Sequence, residues 1–226
     1  MKKIALLICV VILAFILRFW QLGQIPASLT WDEVAWGYNA YSLGTTGHDE
    51  FGRFLPHDYL ESFGDFKPPV YAYVDIAPVM LFGLNEFATR FPSAFFGTLT
   101  VLLTYFLVRR LFNNSPHRDW YGLMSAGILA ISPWHIMLSR AAFEQNVATF
   151  FVALGVWLFL KAVQDKMWYL TLSAASFVVT MYTFNSPRVV SPLLVIVLSL
   201  VYIKTLWKHK KQTVVATILG ILLLLP

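Results

Sequence analysis

Charge is what this chain most lacks. Only 13% of its 226 residues are charged, against 58% hydrophobic, whereas a soluble domain carries about a quarter charged residues. Mean hydropathy is +0.65, which excludes an ordinary water-soluble globule and implies an integral membrane protein. The single cysteine, Cys9, rules out an intramolecular disulfide. There is no Gly-rich loop to cradle a nucleotide's phosphates, so a Rossmann-like nucleotide domain has no support. His48, His57 and His135 lack zinc-ligand spacing. Internal repeats and low-complexity stretches are also missing.

What is present is a series of apolar runs, near 4–20, 92–112, 120–138, 147–163, 168–184 and 189–206, with another beginning at 213. Each of the first six is long enough for a transmembrane helix. The first follows Met1–Lys3 without a small-x-small cleavage site, so it reads as an uncleaved span rather than a signal peptide. The last run stops at Pro226, which reads as a partial polypeptide with a partial seventh span. The segment 68–84 is also apolar, but Asp75 and Pro78 interrupt it. A central Asp costs about 2.5–3.5 kcal/mol on the insertion scale.

The distribution of charge decides how 68–84 is counted. If it does not cross and Lys2 and Lys3 are cytoplasmic, eleven Lys and Arg lie on that side with only Asp119 and Asp165. The opposite side holds six basic residues and ten acids. If 68–84 crossed, every basic loop after it would face outward, against the positive-inside rule. The expectation is therefore an all-α, polytopic bundle of about six full spans plus a partial seventh. It divides into a first transmembrane helix (1–20), an extracytoplasmic loop with short interfacial helices (21–91) and a transmembrane bundle (92–226). The location that follows is the inner (plasma) membrane, with a cytoplasmic N-terminus. The basic tract at 204–211 reads as an orientation signal and anionic-lipid contact, with no nucleic-acid partner.

The loop 21–91 holds nine of the twelve acids. Its first two, Asp32 and Glu33, stand side by side between Trp31 and Trp36. Thr30-Trp31-Asp32-Glu33 fits a capping box, with Thr30 as N-cap and Glu33 reaching back to its amide. The spacing of Trp31, Val34, Tyr38 and Tyr41 predicts a short interfacial helix that Gly44 stops. Capping does not require the second acid, which leaves Asp32 available as a proton acceptor. Arg140 and Arg188 sit at predicted span ends, where snorkelling is ordinary. Arg90 reads as an interfacial anchor, and Glu144 is spaced to pair with Arg140 at i, i+4. His135 reads as a hydrogen-bonded group near a span end.

Six segments then come in a recognisable order: "WDE" (31–33), "HDEFGRFLP" (48–56), "FGDFKPPVYAY" (63–73), "LFGLNEFATRFPSA" (81–94), "SPWHIMLSRAAFEQN" (132–146) and "YTFNSPR" (182–188). Together they resemble the GT-C membrane glycosyltransferases, specifically bacterial relatives of protein O-mannosyltransferases and of the lipid A aminoarabinose transferase. The resemblance implies transfer of a sugar from a polyprenyl-phosphate carrier to a protein, lipid or glycan acceptor on the outer face. It implies Asp32 at the reacting centre with Glu33 beside it, and Lys67 as the phosphate-binding lysine. Arg140, Arg188, Glu144 and Asp65 complete the candidate substrate-binding set.

Phosphate leaves readily as an anion, so such a reaction needs a base and cations rather than the paired acids of a glycosidase. No cofactor is expected. A divalent Mg²⁺ or Mn²⁺ held by Asp32, Glu33, Asp49, Glu50, Asp65 and Glu144 is the alternative source of charge. A lipid-linked sugar transporter and a non-catalytic scaffold of the same fold are the rival functions; a transporter would call for ionisable groups within the spans.

Overall fold

The computed structural model describes residues 2–225. Its helices in chain order are α1 (Lys2–Phe19), α2 (Trp31–Thr46), α3 (Val70–Phe82), α4 (Glu86–Leu111), α5 (Arg118–Ile131), α6 (Pro133–Arg140), α7 (Glu144–Gln164), α8 (Tyr169–Met181), α9 (Pro187–Val201), α10 (Ile203–Lys208) and α11 (Lys210–Leu224). Between α2 and α3 lies one element that an all-α reading omits. It is an antiparallel hairpin of β1 (Leu60–Ser62) and β2 (Asp65–Lys67), with Leu60 opposite Lys67. Its two-residue turn, Phe63-Gly64, has both residues at positive φ, the condition for a type I′ hairpin.

The expected capping box is present. Thr30 Oγ1 accepts from the Glu33 amide at 3.3 Å, and Glu33 Oε2 accepts from the Thr30 amide at 2.8 Å. The stop is three residues later than expected. Gly44 lies inside α2, and Gly47 closes the helix in the left-handed region, its N–H donating to Leu43 O. The segment read as interfacial forms α3, 13 residues long. At 1.5 Å per residue it is about 20 Å long, short of a hydrocarbon core of about 30 Å.

The longest helix, α4, is the centre of the bundle and packs against α1, α3, α5, α6 and α7. It starts at Asn85, whose side chain accepts from the Ala88 amide at 2.9 Å. Its first turns therefore precede the run expected at 92–112. The run expected at 120–138 is a bent pair: α5 and α6 meet at 59° across Ser132, where Pro133 interrupts the helix hydrogen-bond ladder. Individually, α4 and α7 are long and apolar enough to span, and the α5–α6 pair makes a third. The remaining apolar helices are shorter, 13 residues in α8 and 15 in α9.

Large apolar side chains stay exposed along whole helix faces, as at Ile4, Ile8 and Ile12 of α1 and Val189, Leu193, Ile196 and Leu200 of α9. Their spacing of three or four residues marks a continuous stripe, the surface a bilayer would cover. Internally, Trp36, Leu60, Tyr71 and Val147 form one buried cluster that joins α2, the hairpin, α3 and α7. A second, around Val101, Tyr105 and Ala126, joins α4 to α5.

Candidate functional site

Asp32 and Glu33 are neighbours in sequence and opposites in environment. Residue 33 is the third residue of α2, so its side chain turns back into the protein. It is 1% exposed, and both of its oxygens are occupied. Oε1 accepts from Arg90 Nε at 2.8 Å and from the Ala142 amide at 3.0 Å, while Oε2 closes the capping box. Arg90 is itself fully buried, and its remaining nitrogens donate to the carbonyls of Leu22, Pro26 and Ser28 at 2.9–3.1 Å. One ion pair thus ties together the α1–α2 loop, α2, α4 and the α6–α7 loop. Arg90 is not the surface anchor that its place beside an apolar run suggested. A buried charge persists only when paired and hydrogen-bonded, and both conditions hold here.

Asp32 points the other way. Its carboxylate forms an ion pair with Lys67 Nζ, and its side chain is 42% exposed against 8% for Lys67. Lys67 ends β2, so the hairpin's register delivers it to the first turn of α2. Two contacts hold the hairpin there. Buried Asn39 of α2 donates to Ser62 Oγ at 3.0 Å and to Glu50 Oε1 at 3.1 Å, and Leu60 is buried in the Trp36 cluster. Beneath Lys67, the Trp36 ring centroid lies 5.4 Å from Nζ, within cation–π range. Glu144, the first residue of α7, lies close enough to feel the charges of both Lys67 and Asp32. Asp32 and Lys67 therefore meet from α2 and β2, and Asp32 remains open to solvent.

The other candidate side chains bond to backbone groups. Arg140 donates from Nη1 to the carbonyls of Leu17 and Arg18 at 3.1 and 3.4 Å, and from Nη2 to those of Trp20 and Ile25 at 2.7 and 3.0 Å. It caps the end of α1, where a cation suits the helix dipole, and both of its terminal nitrogens are committed. The i, i+4 pair with Glu144 does not form, because the helix breaks between the two at 141–143. Arg188 is exposed at the start of α9 and donates to Met181 O at 3.3 Å. Asp65 is exposed beside the hairpin turn and, among the described residues, its side chain accepts only from the Phe66 amide, at 2.9 Å.

His135 matches expectation: its Nδ1 is 2.7 Å from Arg18 Nη2. Arg18, buried at the end of α1, also donates to the backbone carbonyls of Ala14, Leu129 and Ala130 at 3.0–3.2 Å.

Among the described residues, no three His, Cys, Asp or Glu side chains are gathered to hold a metal ion. The acids considered as ligands are spread across separate roles. Asp49 accepts from the amides of Phe51 and Arg53, and Glu50 is bound to Asn39 and Ser62.

The model of one protein family, described as dolichyl-phosphate-mannose-protein mannosyltransferase, matches residues 8–224. This chain belongs to that family. Among curated proteins similar to it, an uncharacterized protein of Aquifex aeolicus is 30% identical over 184 residues, 79% of this chain and 34% of its own length. The putative mannosyltransferase YkcB of Bacillus subtilis is 29% identical over 113 residues, 50% of this chain and 15% of its own. Dolichyl-phosphate-mannose–protein mannosyltransferase 1 of Saccharomyces cerevisiae is 29% identical over 177 residues, covering 71% and 20%. This mannosyltransferase-family chain therefore spans about a third or less of the length of the curated relatives it matches.

Its fold is that of ArnT from Cupriavidus metallidurans. The apo structure superposes with a TM-score of 0.73 at 16% identity, covering 99% of this chain and 40% of ArnT. The structure of ArnT bound to undecaprenyl phosphate gives 0.63 at 17% identity, covering 99% and 38%. Family, fold and apolar helices together identify a multi-pass GT-C membrane protein.

Proposed function

We propose that this chain carries the catalytic base and the phosphate-binding lysine of a glycosyltransferase that moves a sugar from a polyprenyl-phosphate donor to an acceptor on the extracytoplasmic face. The observation that carries the reading is the pairing of Asp32 with Lys67, a solvent-open carboxylate against a buried ammonium from 35 residues away. Sugar transfer from a phosphate needs these two charges side by side. The base takes the acceptor's proton, and the cation holds the departing phosphate.

In the proposed step, the acceptor O–H or N–H gives its proton to Asp32 while its lone pair bonds to the anomeric carbon. The bond between that carbon and the phosphate oxygen breaks, and its electron pair leaves on polyprenyl phosphate beside Lys67. A single displacement inverts the anomeric centre. The Trp36 ring beneath Lys67 helps keep its ammonium in place while Asp32 is engaged with the acceptor. The Glu33–Arg90 pair fixes the first turn of α2 and so positions Asp32. Charge compensation comes from Lys67, so the reading needs no divalent ion.

An apolar groove of about 500 Å³ supports the donor class. Its lining includes Pro69 and Val70, two and three residues past Lys67, together with Tyr73, Val179 and Tyr182. A prenyl tail would lie there with its phosphate at the lysine. ArnT, whose fold this chain shares, has been seen bound to undecaprenyl phosphate. The six-span arrangement with a cytoplasmic N-terminus belongs to the same proposal. Its support is the segregation of Asp32, Lys67 and Arg140 to one end of the bundle and of Lys3, Arg109, Arg110, Asp119 and Asp165 to the other. Charge concentrated at the ends, rather than along the spans, favours the enzyme over a transporter.

The test is transfer from a polyprenyl-phosphate sugar by the full chain and by Asp32→Asn, compared at matched membrane insertion. A loss of about 10²–10⁴-fold is expected for removal of a general base. Undiminished transfer would remove Asp32 from the mechanism, and a product with retained anomeric configuration would rule out single displacement.

A further inference from the structure

A second charged cavity lies at the opposite end of the bundle and has no part in the proposed transfer. It has a volume of about 460 Å³ and sits between the C-terminal ends of α4 and α7 and the start of α5. From Arg90, at the Glu33 pair, to Arg109, at this cavity, α4 advances 19 residues, or about 30 Å at 1.5 Å per residue. That distance matches the hydrocarbon thickness of a bilayer. The two centres are therefore spaced along α4 by about the thickness of one membrane core.

Three guanidiniums line the cavity, those of Arg109, Arg110 and Arg118, against one carboxylate, Asp165. Arg110 grips Asp165 with both terminal nitrogens, at 2.8 and 2.5 Å. Among the described residues Arg118 donates only to the neutral Asn113, at 2.7 Å to its Oδ1 and 3.4 Å to its carbonyl. Arg109 has its Nε 2.7 Å from Asp119, a carboxylate that Lys3 also claims at 3.0 Å. No hydrogen bond donated by the Arg109 terminal nitrogens is formed among the described residues. Positive charge exceeds negative in a confined space, and the unspent donors are planar forks of the kind that grip phosphate oxygens in pairs. The remaining wall is apolar and aromatic, Phe106 and Trp157, with Lys161 Nζ lying 4.9 Å from the Trp157 ring centroid.

From this geometry we infer that the cavity binds a phosphate group, with Arg109 and Arg118 as its principal ligands and Arg110 held in reserve by Asp165. The aromatic wall beside the cations suits the glycerol backbone and upper acyl chain of an anionic phospholipid. A soluble phosphate offers the same oxygens without the apolar part. The inference is independent of the reaction proposed for Asp32 and Lys67.

The experiment is native mass spectrometry of the full chain released from nanodiscs of phosphatidylglycerol or of phosphatidylcholine, with and without millimolar inorganic phosphate. The wild-type chain is expected to retain phosphatidylglycerol at least about tenfold better than phosphatidylcholine, and the double variant Arg109→Gln/Arg118→Gln to lose that preference. Arg53→Gln, which removes a cation from the loop between α2 and the hairpin, should keep it. Asp165→Asn should strengthen retention by freeing Arg110, a gain that misfolding cannot imitate. Displacement of the lipid by inorganic phosphate would assign a soluble source to the same site, and resistance to it would assign the lipid. Equal retention by wild type and the arginine double variant, or no gain in Asp165→Asn, would overturn the proposal.

Discussion

At the scale of single residues, two adjacent acids divide their work by which way the first turn of α2 points them. Glu33 enters the interior and meets Arg90 at 2.8 Å with both partners essentially unexposed. Removing one member of such a pair leaves an uncompensated buried charge, at a cost of about 3–5 kcal/mol. Glu33→Gln or Arg90→Met should therefore lower the thermal midpoint in detergent by many degrees and reduce the yield of folded protein. Asp32 is half-exposed, and Lys67 also lies over the Trp36 ring, 5.4 Å from its centroid. Asp32→Asn should cost about 1 kcal/mol or less, so its midpoint should stay close to wild type while transfer collapses. A large stability loss in Asp32→Asn, with Glu33→Gln unaffected, would reverse the roles given to the two acids.

Among helices, close approach depends on small residues. A Cβ added to Gly122 of α5 would lie 2.8 Å from the Tyr105 carbonyl oxygen of α4, whereas one at Gly127 of the same helix meets nothing within 4 Å. Small residues at helix interfaces serve this purpose in membrane bundles. Gly122→Ala should destabilise by about 1–3 kcal/mol through overpacking. Gly127→Ala should be neutral or stabilise by up to about 1 kcal/mol through helix propensity. Equal midpoints for the two variants, measured by thermal unfolding in detergent, would contradict the packing described for α4 and α5.

This is also the scale at which the sequence was most and least legible. The capping box at Thr30 and a separate helix after Pro68-Pro69 could be read directly, because both are set by neighbours in the chain. Lys67 came to notice only through the resemblance of "FGDFKPPVYAY". Its delivery to Asp32 depends on a hairpin whose turn has Phe63, not an Asn or Asp, at positive φ. The fates of Arg90 and Arg140 could not be read. Each follows or precedes an apolar run as a snorkelling residue would; Arg90 is captured by Glu33 and by carbonyls of the α1–α2 loop, and Arg140 by carbonyls at the end of α1 and in that loop. No side-chain pattern reports where a carbonyl will be.

At the scale of the whole molecule, charge sorts to the two ends of the bundle and fixes its proposed orientation. With Cys9 replaced, single cysteines at 113–116 and at 208–210 should be protected from impermeant thiol reagents applied outside the cell. Labelling at both from outside would invert the topology. At the basic end, the hydrogen bond from Arg110 holds the Asp165 carboxyl below its ordinary value of 3.8. A depressed folded pKa means that the pair's contribution is present at neutral pH and is lost as pH falls below about 4. The difference in thermal midpoint between wild type and Asp165→Asn should accordingly shrink on acidification. A constant difference from pH 7 to pH 3 would show that the ion pair contributes nothing.

The central claim is that Lys67, held against Asp32, is the residue that takes the lipid phosphate, while Arg140 belongs to the scaffold. Equilibrium binding of a polyprenyl phosphate to the full chain tests it directly, with Lys67→Met compared against wild type and against Arg188→Gln. Loss of one charge-assisted contact of about 1.5–3 kcal/mol predicts at least about tenfold weaker binding for Lys67→Met and little change for Arg188→Gln. Wild-type affinity in Lys67→Met, in protein that is folded and inserted, would contradict the account.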